Sequence, residues 1–375
     1  MLFSIDKKKY ISYTICTGQN LKRKGVFYMK RMLVLLAMVS LFASAVVADE
    51  AIIIDFQNLN ADIIEKDGIL TQNRRTVMDY GATAGSSYTD DQKSLMKTSL
   101  AIAQWEVALN SSSHNPTRLA NSQVREAEVS GEAKNFAGQI LMGVRVEFPT
   151  WANNANAVIQ PSFSIPMYEP MAQVDEQGNV QPQTEEDKAS GMGRFEDGYG
   201  VVKNTGVIKS IAVNTYGMNF PHGLYVLLRD QNNETKRYFM GYLLFDGWRE
   251  LVWSNPSYIS DVRTRELRLY PVYPVSLPSL AFAGFLITRD AAHDGGSFIG
   301  YFKDVKIIYD KAVLTTARDF ADEDIWGIQT QQAEEKKRIE VRRFGQKQVL
   351  RFLENEKIAT ESGFTPSSGA EGAEN

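Results

Sequence analysis

The sequence predicts a mainly β protein, an antiparallel β-sandwich of jelly-roll type with a helical segment near its C-terminal end. Three observations carry this. Across residues 195–310, short segments rich in Val, Ile, Leu, Tyr and Phe recur about every dozen residues, each closed by Gly, Asn, Asp or Pro, the pattern of a sandwich or barrel. The clearest segments alternate with the period of two of a half-buried strand. After Tyr309 the composition turns to Glu, Lys, Arg, Gln and Ala, which favours helix.

The chain begins with material that does not belong to the fold. Lys30 and Arg31 precede an apolar run over residues 32–43, and Val46 and Ala48 are the small residues that signal peptidase accepts, so cleavage is expected between Ala48 and Asp49. The apolar run is shorter than the about 20 residues needed to span a bilayer, and no membrane span is expected. Residues 1–28 are unlike an export signal, which makes Met29 a candidate start. The whole chain has a net charge of −4; removing residues 1–48, with eight basic residues and one acid, leaves 33 basic and 44 acidic residues and a net charge of −11. That balance argues against a nucleic-acid partner. The single cysteine, Cys16, lies in the removed part, so no mature thiol is available for a disulfide, metal or nucleophile.

In chain order, residues 51–56 are expected to form the first strand, and residues 62–91 are polar with weak regularity. Trp105, Val107 and Leu109 alternate with Glu106 and Asn110. Residues 140–148 form the best expected strand: Ile140, Met142, Val144, Val146 and Phe148 share one face, and Pro149, lacking an N–H, ends it. Residues 165–195 hold Pro166, Pro170, Pro182 and several acids, and are expected to be an exposed insertion, a surface loop or a binding loop. Further strands are expected at 207–213, 224–229, 238–245, 249–253, 266–270, 280–288 and 298–309, with 238–245 apolar on both faces like a central strand. Asp230 to Asn233 and Asp294-Gly295-Gly296 read as turns. Residues 329–358 are expected to be helical, with an interruption at Gly345 and a short apolar stripe of Val349, Phe352 and Leu353; residues 360–375 are expected to be a disordered tail. The expected organisation is therefore a removed leader over 1–48, a sandwich over 49–318 with its insertion at 165–195, a helical segment over 319–359 and a tail over 360–375.

No catalytic constellation emerges. His114, His222 and His293 stand apart without metal-ligand spacing, and Gly295-Gly296-Ser297-Phe298-Ile299-Gly300 lacks the spacing of a nucleophile elbow. The acid clusters Asp322-Glu323-Asp324 and Glu196-Asp197 do not alternate along a strand so as to aim two carboxylates into one groove. Neither an enzyme activity nor a cofactor is expected. The candidate contacts are of two kinds. Lys336, Lys337, Arg338, Arg342 and Arg343 belong to the one strongly basic region of an acidic chain, either a solvated helix face or a contact with an acidic partner. Trp151 and Trp248, beside Pro149 and Gly247, are placed near strand ends, where a ring can fill the core, stack on a sugar or anchor an interface.

The segments Ile54-Asp55-Phe56, 140–149, Asn204-Thr-Gly-Val-Ile-Lys-Ser-Ile-Ala-Val, Leu244-Phe-Asp-Gly-Trp-Arg-Glu-Leu and Phe302-Lys-Asp-Val-Lys-Ile-Ile-Tyr resemble, in content and order, the FlaA family. These are outer layer, or sheath, proteins of the periplasmic flagella of spirochaetes. The resemblance implies a sandwich like that of carbohydrate-binding modules. It also implies a structural role: many copies coating a core of FlaB-type flagellin in the periplasm and changing filament stiffness, shape and motility. The implied partners are core flagellin and copies of the chain itself, with a glycan on flagellin as a further candidate. The rival expectation is a periplasmic carbohydrate-binding protein that acts as a soluble monomer.

Overall fold

The computed structural model describes residues 49–66, 68–81, 84–151, 153–167, 193–266, 278–290, 296–312 and 319–364. The chain divides into two units, Met1–Val47 and Ala48–Asn375, and every described residue belongs to the second.

The strands, in chain order, are β1 (Asp49–Asp55), β2 (Ile63–Lys66), β3 (Ile69–Gln72), β4 (Val77–Asp79), β5 (Lys97–Ser99), β6 (Trp105–Leu109), β7 (Gln123–Glu128), β8 (Ile140–Phe148), β9 (Ala155–Pro161), β10 (Val201–Lys203), β11 (Thr205–Met218), β12 (His222–Asp230), β13 (Thr235–Tyr242), β14 (Asp246–Ser254), β15 (Ser279–Arg289) and β16 (Gly296–Lys311). Among the described residues five α-helices accompany them: α1 (Asp90–Ser94), α2 (Pro116–Asn121), α3 (Tyr258–Glu266), α4 (Asp322–Trp326) and α5 (Ile328–Phe364).

Two antiparallel sheets form the expected sandwich. The first has the order β14-β11-β16-β8-β7, with β1 also paired to β16; the second has the order β13-β12-β15-β9-β6, with β10 also paired to β15. Strand β16 is paired with β11 along one side, while on the other β8 matches residues 296–302 and β1 matches residues 304–309. The first and last strands of the sandwich are therefore neighbours.

The core follows from alternation. Met142, Val144, Val146 and Phe148 of β8 are at most 2 % exposed, as expected, and Leu224, Val226 and Leu228 of β12 are buried in the same core. Stacked Phe285 and Phe302, 4.4 Å apart, join β15 to β16 across the layers. His222 is buried against Phe148, Phe298 and Phe220, in keeping with a structural role. Trp105 is core as well, its indole N–H donating to the Leu100 carbonyl at 2.9 Å.

Several expectations are corrected. Residues 62–91 are not irregular: β2 pairs with β3, β4 pairs with β5, and α1 is closed by a capping box between Thr89 and Gln92. The expected central strand 238–245 is instead the edge strand β13, ended at Tyr242 by the connection into β14, where Gly247 takes φ 90°. Of the expected strand 266–270, Glu266 is the last residue of α3, which starts behind an Asn255 side chain that accepts from the Ser257 N–H; residues 267–270 lie outside the described set. The turn at Asp230 is as expected, its carboxylate accepting from the Asn232 and Glu234 N–H groups, whereas 294 and 295 lie outside the described residues. Ile165 and Phe195, at the two ends of the expected insertion, are buried in the core; residues 168–192 between them, and the expected tail over 365–375, lie outside the described residues.

Gly345 does not interrupt α5. A Cβ there would stand 2.8 Å from Met96 Cε and 3.0 Å from the Tyr88 ring tip, so its missing side chain lets the helix approach the body. Val341 and Phe344 are buried, about two turns before the expected stripe; of that stripe Val349 is half-buried, and the side chains of Phe352 and Leu353 lie outside the described set.

Candidate functional site

Helix α5 lies across one end of the outer face of the second sheet. Its start is fixed by Glu323, whose carboxylate accepts from the Gln329 and Thr330 N–H groups at 3.0 Å, after Gly327 has ended α4 in the left-handed conformation with φ 58°. Phe344 packs on Tyr80 with ring centroids 4.8 Å apart, and the Tyr88 hydroxyl donates to the Arg342 carbonyl. Lys347, further along the same helix, is turned inward: its ammonium reaches Ser162 O at 3.0 Å and Glu106 Oε2 at 3.4 Å.

Between helix and sheet is a cleft of about 290 Å³, walled by Arg229 and Leu227 of β12, Phe163, Glu340, Arg343 and Phe344. Arg229 is 8 % exposed and donates to the Ile165 carbonyl. Burial lowers the Arg229 guanidinium, with Glu340 opposing it. Burial also raises the Glu340 carboxyl to about 7, outweighing the pull of Arg229, Arg343 and Lys336. Each group is thus costly to charge, and Glu340 Oε2 is buried without a hydrogen-bond partner.

Lys336, Lys337, Arg338, Arg342 and Arg343 are all exposed. The docked side of α5 is apolar at Val341, Phe344 and Gly345, so the helix presents its cations on a rigid support instead of a free tail. The two tryptophans are elsewhere. Trp151 is 54 % exposed, with the Arg118 guanidinium 4.7 Å above its ring and its carbonyl accepting from Arg289. Trp248 is packed between Phe136 (4.7 Å) and Tyr216 (5.4 Å) on the outer face of the first sheet, so its ring is taken up within the protein. Asp49 opens β1, opposite Tyr309, with its carboxylate paired to Lys311; Ala48 lies outside the described residues. Burial, and then Asp49, raise the Tyr309 hydroxyl to about 12.

One group escaped the sequence. Tyr225 of β12 and Phe239 of β13 face outward 4.9 Å apart, and Tyr242 lies 5.4 Å from Phe239; Phe239 and Tyr242 are 40 % and 51 % exposed. The alternation of Tyr225 with buried Leu224 and Val226 is the signal the sequence carries for it. Among the described residues, no group of three or more His, Cys, Asp or Glu could hold a metal, and no helix is long and apolar enough to cross a membrane.

Comparison with known proteins decides what this scaffold is. Residues 69–318 match the flagellar filament outer layer protein family, FlaA. This chain belongs to the FlaA family. A flagellar filament outer layer protein of Treponema pallidum (strain Nichols) is 68 % identical over 344 residues, covering 92 % of this chain and 98 % of the relative. Its counterpart from Spirochaeta aurantia is 41 % identical over 330 residues, covering 88 % and 93 %. These FlaA relatives bear a structural name, not the name of an enzyme. Among solved structures, a family 61 carbohydrate-binding module in complex with β-1,4-galactotriose aligns with 56 % of this chain and 90 % of its own, at 8 % identity and a TM-score of 0.25.

Proposed function

We propose that this FlaA protein is a coat subunit of the periplasmic flagellar filament: exported, cleaved after Ala48, laid in many copies on a FlaB-type flagellin core, and tuning filament stiffness, shape and motility. The observation that carries the reading is the 68 % identity, over nearly the whole of both chains, to a flagellar filament outer layer protein. A coat needs contacts to the core and, of a different kind, to neighbouring copies; such heterologous contacts build open helical arrays. We assign one of them to the exposed cations of α5, Lys336, Lys337, Arg338, Arg342 and Arg343, facing an acidic surface. Trp151 is the better of the two aromatic candidates, since it is 54 % exposed while Trp248 is half-buried between Phe136 and Tyr216.

The test is to replace the five cations with glutamine and measure co-sedimentation with purified flagellar cores over a range of salt. Wild-type association is expected to weaken as salt rises and the variant to bind weakly at all salt concentrations. Equal coating by the two would remove α5 from the contact. A second reading rests on the outward-facing Tyr225, Phe239 and Tyr242, rings of the kind that stack on sugars. In that reading the face binds a glycan, either on flagellin or free. Retained binding of oligosaccharides by a Phe239→Ala, Tyr242→Ala variant would dismiss it.

A further inference from the structure

Lys303, Asp304 and Asp55 meet where the first strand of the sandwich joins the last. Their side chains are only 11 %, 3 % and 15 % exposed. The Lys303 Nζ stands 2.7 Å from Asp304 Oδ2 and 3.3 Å from Asp55 Oδ2. Adjacent residues of a regular strand point to opposite faces, so this convergence has a cause. Asn214 pairs with Asp304 and Thr215 with Phe302, which leaves Lys303 as a bulge opposite β11. On the other side of β16, β8 ends its pairing at Phe302 and β1 ends at Asp304, so Lys303 also occupies the seam between them. Each carboxylate is held by its other oxygen. Asp55 Oδ1 accepts from the Gln57 N–H at 3.1 Å, and Asp304 Oδ1 accepts from the Asn214 amide at 2.7 Å. The Phe136 ring, 5.3 Å from the ammonium, helps to cover the cluster.

We propose that Lys303 and Asp55 become joined by an intramolecular isopeptide bond, with Asp304 as the proton relay. The Lys303 ammonium passes one proton through Asp304 to the Asp55 carboxyl, and the neutral amine adds to Asp55 Cγ. The Gln57 N–H supports the oxygen on which negative charge develops. A second proton from nitrogen passes through Asp304 to the departing hydroxyl, a C–N bond replaces a C–O bond, and one water leaves. Asp304 ends as it began, and no other reactant is needed. Burial pulls the Lys303 ammonium down, while the hydrogen bond and charge of Asp304, followed by those of Asp55, more than reverse this. The reacting amine is therefore a minor form, and the reaction is slow. What favours it is the replacement of the largely buried Lys303–Asp55 ion pair by a neutral amide, whose N–H is left to donate to Asp304. The fixed approach of the two groups supplies the effective concentration. The bond ties β1 to β16 in a fold whose one cysteine lies at residue 16, outside the sandwich. The proposal is independent of the filament contacts.

The test is the intact mass of the denatured full chain, isolated from cells, with its N-terminus determined. The expected mass is one water below that of the linear chain, and digestion is expected to yield a branched peptide joining the Asp55 and Lys303 segments. Asp55→Ala and Lys303→Arg should restore the linear mass, and Asp304→Asn should do so while keeping the fold. A wild-type chain with the linear mass and no branched peptide overturns the proposal. A water deficit that survives Asp304→Asn overturns the assignment of the relay.

Discussion

Replacing Glu340 with glutamine should stabilise the protein at neutral and alkaline pH and leave it unchanged in acid. Burial lifts this carboxyl from 4.5 to about 7 in the folded state. A raised carboxyl binds its proton more tightly folded than unfolded. Its contribution is therefore greatest below the unfolded value, falls as pH rises through the window from about 4.5 to about 7, and is flat above it. At about 1.4 kcal/mol per pH unit, the loss across the window is about 3 kcal/mol. Glutamine imitates the protonated acid and removes this dependence, so the difference between variant and wild type isolates Glu340 from every other acid in the chain. The assay is denaturant unfolding of both proteins from pH 4.5 to 8, with hydrogen exchange of α5 alongside. The curves should coincide in acid and separate by about 3 kcal/mol at pH 8, with the wild-type helix exchanging faster there. A variant less stable than wild type at pH 8 would refute the reasoning. It would mean that Glu340 is ionised and that Arg229 depends on its charge.

Three further outcomes can be checked together. Gly284→Ala should destabilise the fold by more than about 2 kcal/mol in thermal or denaturant melts, since the residue has φ 137° and a Cβ would fall on the Ile159 carbonyl. Phe344→Ala should cost up to about 4 kcal/mol; because the ring fixes α5 to Tyr80, the loss should appear first as faster hydrogen exchange of α5 with the sandwich still protected. Arg289→Met should cost about 2–4 kcal/mol by chemical denaturation, because the buried guanidinium donates to the carbonyls of Pro149, Trp151 and Asn153, which methionine leaves unsatisfied.

What the sequence reveals depends on how strongly a residue's environment is imposed locally. Strand β8 is legible because large apolar residues alternate with Arg145 and Glu147 between a turn and Pro149. Strand β9 is hidden because its inward residues include Ala155 and Ala157, too small to mark a face although both are fully buried. Strand β7 is an edge strand in which only Val124 is buried, so it carries almost no pattern. The basic face of α5 is legible as a charge run, but its docking is not, since the closest approach is made by a glycine that ordinarily signals the end of a helix. The triad of Lys303, Asp304 and Asp55 is illegible for another reason. Asp55 lies 248 positions before Lys303, and a bulge at Lys303 brings the three side chains together.

That separation also orders the folding of the sandwich. Strand β1 is the first part of the domain to be made and carries buried Ile53 and Ile54, yet its partner in the ladder, residues 304–309, comes more than 240 positions later. Until β16 is present, β1 lacks its ladder partner and keeps only the bridge that Ile53 and Asp55 make with Gly200 and Gly198, and half of one side of β16 lacks a partner without β1. Closing so long a loop before any reward is slow, so the first sheet is completed only after β16 has been made. Deleting residues 49–55 should therefore prevent a stable sandwich, by circular dichroism and proteolysis, whereas a chain that starts at Asp49 should fold. A stably folded deletion variant would show that β16 can be completed without its first partner, and this account of the folding order would fall.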